Sequence, residues 1–104
     1  MRGQFHRDGA IVPGGGTIQV SGPVDWESDE AGAVIHATLT QHPGGRAEGD
    51  SVYTPATADT WFATLTVEGA FHNGVADALG VATVTITGGQ PEVYRWPDQV
   101  VLHG

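Results

Sequence analysis

The chain is 104 residues long, sets twelve acidic residues against four arginines for a formal net charge of −8, and contains no cysteine. That length makes one domain, spanning residues 1–104. The missing thiols exclude a disulfide framework, a thiolate metal site and a cysteine nucleophile. The scattered Arg2, Arg7, Arg46 and Arg95 lack the clustering that a nucleic acid or an anionic membrane needs.

Residues 1–16 read as an N-terminal arm. The first ten are mostly polar, Ile11 and Val12 form an apolar pair suited to a sheet edge, and the Pro13-Gly14-Gly15-Gly16 cluster breaks the chain. No apolar h-region or small-residue cleavage site precedes it, and no run approaches the roughly 18 apolar residues of a membrane span. The expectation is a cytoplasmic or particle-associated protein with no membrane insertion.

Beyond the arm the apolar period is two. Residues 17–21 alternate with Ile18 and Val20 on one face and form a first strand, ended by Gly22-Pro23. An acidic connection, Asp25-Trp26-Glu27-Ser28-Asp29-Glu30, leads to a second strand in which Ala33, Ile35, Ala37 and Leu39 alternate with Val34, His36, Thr38 and Thr40. His42-Pro43-Gly44-Gly45 is a turn. Residues 46–53 are weakly patterned, because Gly49 and Asp50 suit strands poorly, and read as a third strand at a sheet edge.

Residues 55–59 form a loop. Trp61, Ala63, Leu65 and Val67 then share one face of a strand, and Ala76, Ala78, Gly80, Ala82, Val84 and Ile86 share one face of the next. The Gly-rich segment 69–74 between them predicts an antiparallel hairpin. After the turn at Gly88-Gly89-Gln90-Pro91, a last strand carries Tyr94, Trp96, Val100 and Leu102 on one parity, and Pro97 places it at an edge or a bulge. Trp61 and Trp96 read as core, and Trp26 as an anchor for its loop. The fold expected is all-β: an antiparallel sandwich of about seven strands.

Few residues suggest chemistry. Asp25, Glu27, Asp29 and Glu30 could supply oxygens to calcium, although their order is not that of an EF-hand loop. Read as a solvated loop, the same run simply keeps the protein soluble. His6, His36, His42, His72 and His103 show no metal-ligand spacing. Ser21, Ser28 and Ser51 lie outside any nucleophile elbow, and Gly14-Gly15-Gly16-Thr17 lacks the lysine of a phosphate loop. Phe62, Leu79 and Val81 fall on otherwise polar strand faces and, with Ile11 and Val12, are candidates for a partner-binding surface.

The patterns at Trp61-x-Ala63-x-Leu65-x-Val67, Gly69-x-Phe71-x-x-Gly74-x-Ala76-x-Ala78, Ala82-x-Val84-x-Ile86, Tyr94-x-Trp96 and Val100-x-Leu102 resemble small bacterial immunoglobulin-like sandwiches of actinobacterial or phage type. The chain departs from antibody domains in having no cysteine pair and no tyrosine of the antibody corner. The resemblance implies a non-enzymatic, immunoglobulin-like module for protein binding or self-assembly, an accessory subunit of a larger assembly. The alternative is a carbohydrate-binding module whose exposed rings and loop carboxylates hold a glycan, assisted by calcium.

Overall fold

A computed structural model describes residues 1–14, 16–54 and 59–104. Its strands are β1 (Arg2–Gly3), β2 (Asp8–Ile11), β3 (Thr17–Asp25), β4 (Glu30–Thr40), β5 (Arg46–Tyr53), β6 (Thr60–Glu68), β7 (Gly74–Ile86) and β8 (Glu92–His103). The loop expected at residues 55–59 lies, for positions 55–58, outside the described residues, as does Gly15 of the Gly-rich breaker.

The sheet runs β3-β2-β8-β7-β4-β5-β6 and returns to β3, closing a barrel of seven strands, with β1 added along the far end of β3. The antiparallel immunoglobulin-like sandwich expected from the sequence is therefore incorrect. Two pairings overturn it. β3 joins β6 over seven register pairs, from Thr17 opposite Thr66 to Pro23 opposite Thr60. β2 lies parallel to β8, with Asp8 opposite Val101 and Ala10 opposite His103, so the barrel is mixed. A sandwich leaves free edges on both sheets, whereas closure removes them.

The arm makes this closure possible. Met1, Gly3 and Phe5 are buried, alternating with exposed Arg2, Gln4 and His6. The backbone of Gln4 donates to Pro23 O at 3.1 Å, that of His6 to Ser21 O at 2.7 Å, and Val101 donates to Arg7 O at 2.7 Å. Residues that look like a polar tail are thus staves between β3 and β8. Ile11 and Val12 are half-buried, Ile11 opposite Ile18, and Val12 N donates to Thr17 O at 3.0 Å.

The strand order also departs from expectation. β6 and β7 are consecutive but do not pair: β7 lies between β4 and β8, and β6 between β5 and β3. No hairpin forms across residues 69–73 because β4 and β5 intervene. Strand β5 is accordingly no edge strand: it pairs on one side with β4, from Ala33 opposite Tyr53 to Thr40 opposite Arg46, and on the other with β6, from Arg46 opposite Glu68 to Glu48 opposite Thr66. β3 runs through Gly22-Pro23 to Asp25 instead of stopping there.

The interior is filled by the inward parity of every strand. Ile18, Ile35, Leu39, Trp61, Leu65, Val84, Val100 and Leu102 are essentially inaccessible, each aliphatic one stabilising the fold by roughly 1.5–3 kcal/mol. A barrel this narrow has room for side chains and little else. At the end nearer the chain start, Trp61 meets Phe5 edge-on at 4.9 Å between ring centroids and Trp96 at 6.3 Å. Trp61 Nε1 donates to Gln4 O at 2.7 Å, so one indole docks the arm from inside.

Ladder pairing is incomplete at that same end. β5 and β6 pair only from Arg46 to Glu48, and beyond that Ser51 Oγ donates to Phe62 O while Tyr53 OH bonds both the N–H and the carbonyl of Phe62. On β8 the pairing with β2 begins at Val101. Pro97 shares the parity of Val101, so its missing N–H faces the stretch where β8 has, among the described residues, no ladder neighbour but β7, which is where a proline is tolerated.

Candidate interaction face

Because β5, β4, β7 and β8 are consecutive in the barrel wall, their registers define outward-facing rows. The first row reads Val52, Val34, Thr83, Val93. The second reads Asp50, His36, Val81, Arg95, and the third Glu48, Thr38, Leu79, Pro97. Val52 is 76% exposed, Val93 52%, Val34 43% and Leu79 37%.

Cross-strand valine pairs stabilise a sheet by about 0.2–1 kcal/mol. Threonine serves the same strand preference without presenting apolar surface to water, and β6 uses it at Thr60, Thr64 and Thr66. Three valines in one row, Val52 beside Val34 and Val93 beyond Thr83, put more apolar side chain on the outer wall than strand chemistry demands.

Charge borders the patch asymmetrically. On the β5 side Asp50 Oδ1 stands 2.5 Å from His36 Nδ1, and Arg46 pairs with Glu48 at 2.7 Å. On the β8 side Arg95 makes no ion pair among the described residues. Below the rows Gln99 Nε2 donates to Asp77 at 3.2 Å. At the upper border Tyr94 OH donates to Glu92, and this hydrogen bond, with burial and the Glu92 charge, pushes the phenol up to about 12.

Leu79 and Val81, singled out by parity, lie within these rows on β7. Phe62, singled out with them, sits on β6 opposite Ser21 and lines a separate shallow groove with Asp8 and His103. Ile11 and Val12 contribute to the barrel's own closure, as described above. Val34, Val52 and Val93 were missed, although each is an apolar residue on the outward parity of its strand, the same signal that marks Leu79.

The acidic run does not gather. Asp25, Glu27 and Asp29 are exposed, while Glu30 is buried, its Oε2 2.6 Å from the α-amino group of Met1 and its Oε1 accepting the Glu27 N–H at 2.6 Å. Among the described residues no three His, Asp or Glu side chains are grouped to hold a metal ion. The imidazoles divide among different partners: His6 with Ser21 at 2.9 Å, His36 with Asp50, His103 with Asp8 at 2.9 Å. Trp61 and Trp96 are buried, Trp61 fully. Among the described residues no helix is long and apolar enough to cross a membrane.

The class these features define is a small mixed β-barrel with a packed interior and an apolar outer face. No protein-family model, curated protein or solved structure matches the chain.

Proposed function

We propose that the protein is a non-enzymatic interaction module, an accessory or structural subunit that docks onto a protein partner through the outer face of β5, β4, β7 and β8. The single observation carrying this reading is the exposed row Val52, Val34, Thr83, Val93. Among the described residues the inward-pointing side chains fill the barrel, which favours recognition at the outer wall.

The experiment compares wild-type protein with Val34→Glu/Val93→Glu, both outward positions whose replacement leaves the core intact. Each is immobilised and exposed to native lysate, retained proteins are purified, and binding is remeasured by calorimetry. Light scattering of the purified chain tests self-association in parallel. The reading predicts an interaction, with itself or with a retained protein, that the wild type makes and the double variant loses. An interaction that survives in the double variant, or the absence of any, refutes it.

A further inference from the structure

We infer that the barrel contains a latch for a free α-ammonium group: Glu30 holds the amine of Met1, and docking of the arm depends on that amine being unblocked. The latch is independent of the outer face, because neither residue stands in the rows described above.

Strict alternation back from Ala37, Ile35 and Ala33 would place Ala31 inside the barrel, opposite Ile86. Instead the register slips by one residue between Glu30 and Gly32, so Ala31 is exposed and Glu30 takes the inward position opposite Ile86. A bulge re-aims a side chain, and this one turns a carboxylate inward. Both carboxylate oxygens are committed there: Oε1 accepts the Glu27 N–H at 2.6 Å, and Oε2 stands 2.6 Å from the α-amino nitrogen of Met1. The Met1 and Glu30 side chains are 0% and 1% exposed.

Among the described residues no other cation serves Glu30, since Arg46 pairs with Glu48, His36 with Asp50 and His103 with Asp8. Removing one member of a buried ion pair is strongly destabilising, because the other charge stays buried and uncompensated. Acylation of the amine, or a peptide bond to a preceding residue, removes the charge that Glu30 faces. The first residues of the arm have few other ties: β1 contributes two register pairs, and Gln4 and His6 one backbone donation each to β3. Chain ends fray unless they are tied down. An undocked arm strips β3 of its neighbour from Ser21 to Asp25 and takes Phe5 off Trp61 and Gly3 off Trp96. The pocket recognises the ammonium and not its history, so initiation at Met1 and cleavage ahead of it serve equally.

The test exploits the absence of lysine, which makes the α-amine the one primary amine of the chain. N-hydroxysuccinimidyl acetate therefore acetylates a single nitrogen, and hydroxylamine removes esters formed elsewhere. Native protein should react roughly tenfold or more slowly than protein in guanidinium. After acetylation in guanidinium and refolding, the Gln4 and His6 amides should exchange roughly tenfold or more faster, while those of residues 33–39 keep their protection. Native labelling as fast as denatured labelling, unchanged exchange at Gln4 and His6, or protection lost throughout the barrel overturns the latch.

Glu30→Gln separates charge from crowding. The unmodified variant should itself exchange faster at Gln4 and His6, since its amine is buried without a counter-ion. Acetylating it should add less than about a threefold change, because the two modifications remove the same interaction. A variant whose arm stays protected, or one that acetylation disturbs as much as it does the wild type, overturns the inference.

Discussion

Trp96 occupies the space that a side chain on Gly80 would need. The two face each other across β7 and β8, and a β-carbon on Gly80 would stand 2.2 Å from Cε2 and Nε1 of the indole. The ring is held from the arm as well, since a β-carbon on Gly3 would lie 2.7 Å from its Cζ2. Its Nε1 is buried with no hydrogen-bond partner among the described residues. The close approach of ring to backbone on both sides therefore comes with an unsatisfied donor, which costs about 1–3 kcal/mol.

Gly80→Ala should accordingly destabilise the barrel by about 1–3 kcal/mol, because a rigid indole wedged against Gly3 has nowhere to move. The check is a double-mutant cycle in denaturant with Trp96→Phe, which shrinks the ring and removes the orphaned N–H. The coupling between the two changes should exceed 0.5 kcal/mol. Strict additivity would mean that the two residues do not contend for the same space.

The docking of the arm has its own point of failure at Gly22. A β-carbon there would lie 1.7 Å from the carbonyl oxygen of Gln4, the acceptor of the Trp61 indole N–H. Gly22→Ala should push the arm off β3 while leaving β4 and β7 paired. Hydrogen exchange reads this directly: the amides of Gln4 and His6 should lose protection while those of residues 33–39 keep theirs. Unchanged protection at Gln4 and His6 would show that the arm is not held this way.

At the opposite end of the barrel, Gln41 ties two loops together. Buried at 5% exposure, its Nε2 donates to His72 O at 3.0 Å and to Val75 O at 3.3 Å, and its Oε1 accepts the His72 N–H at 3.0 Å. Gln41→Met keeps the volume and strands these backbone groups, for an expected loss of about 1–3 kcal/mol. Thermal unfolding should register it, and a midpoint equal to wild type would remove the tie.

Alkaline stability should depend on Tyr94. The hydrogen bond to Glu92, then burial and the Glu92 charge, favour the neutral phenol and push its pKa up to about 12 from 10.0. The associated stabilisation is complete below pH 10 and is lost as pH rises through 12. Spectrophotometric titration of wild type and Glu92→Gln should show one tyrosine moving back toward its ordinary value in the variant. Identical titration curves would dissociate the phenol from Glu92.

Some of this architecture was legible in the alternation of side chains. Each strand from Thr17 onward appears close to its expected place, and the inward parities of β4, β6, β7 and β8 are those of the core, because burial on one face imposes a period of two whatever the neighbouring strand is. The same parity marked Leu79 and Val81 as outward-facing apolar residues. It holds equally for Val34, Val52 and Val93, whose significance comes from standing in one row.

That row, the strand order and closure were decided by tertiary structure. A five-residue connection between β6 and β7 serves a hairpin or a crossing to a distant stave equally well, and side-chain alternation carries no information about which strand lies alongside. The sequence marks residues 1–16 as an arm suited to a sheet edge, with Ile11 and Val12 as its apolar pair, and gives no sign that Met1, Gly3 and Phe5, too sparse to form an apolar run, are buried. Only the parallel pairing of β2 with β8 and the packing of Phe5 on Trp61 and of Gly3 on Trp96 turn it into wall. Registers between strands fifty or more residues apart are set by the packing of the whole ring, and so is the placing of Asp50 and Arg95 at opposite ends of one row.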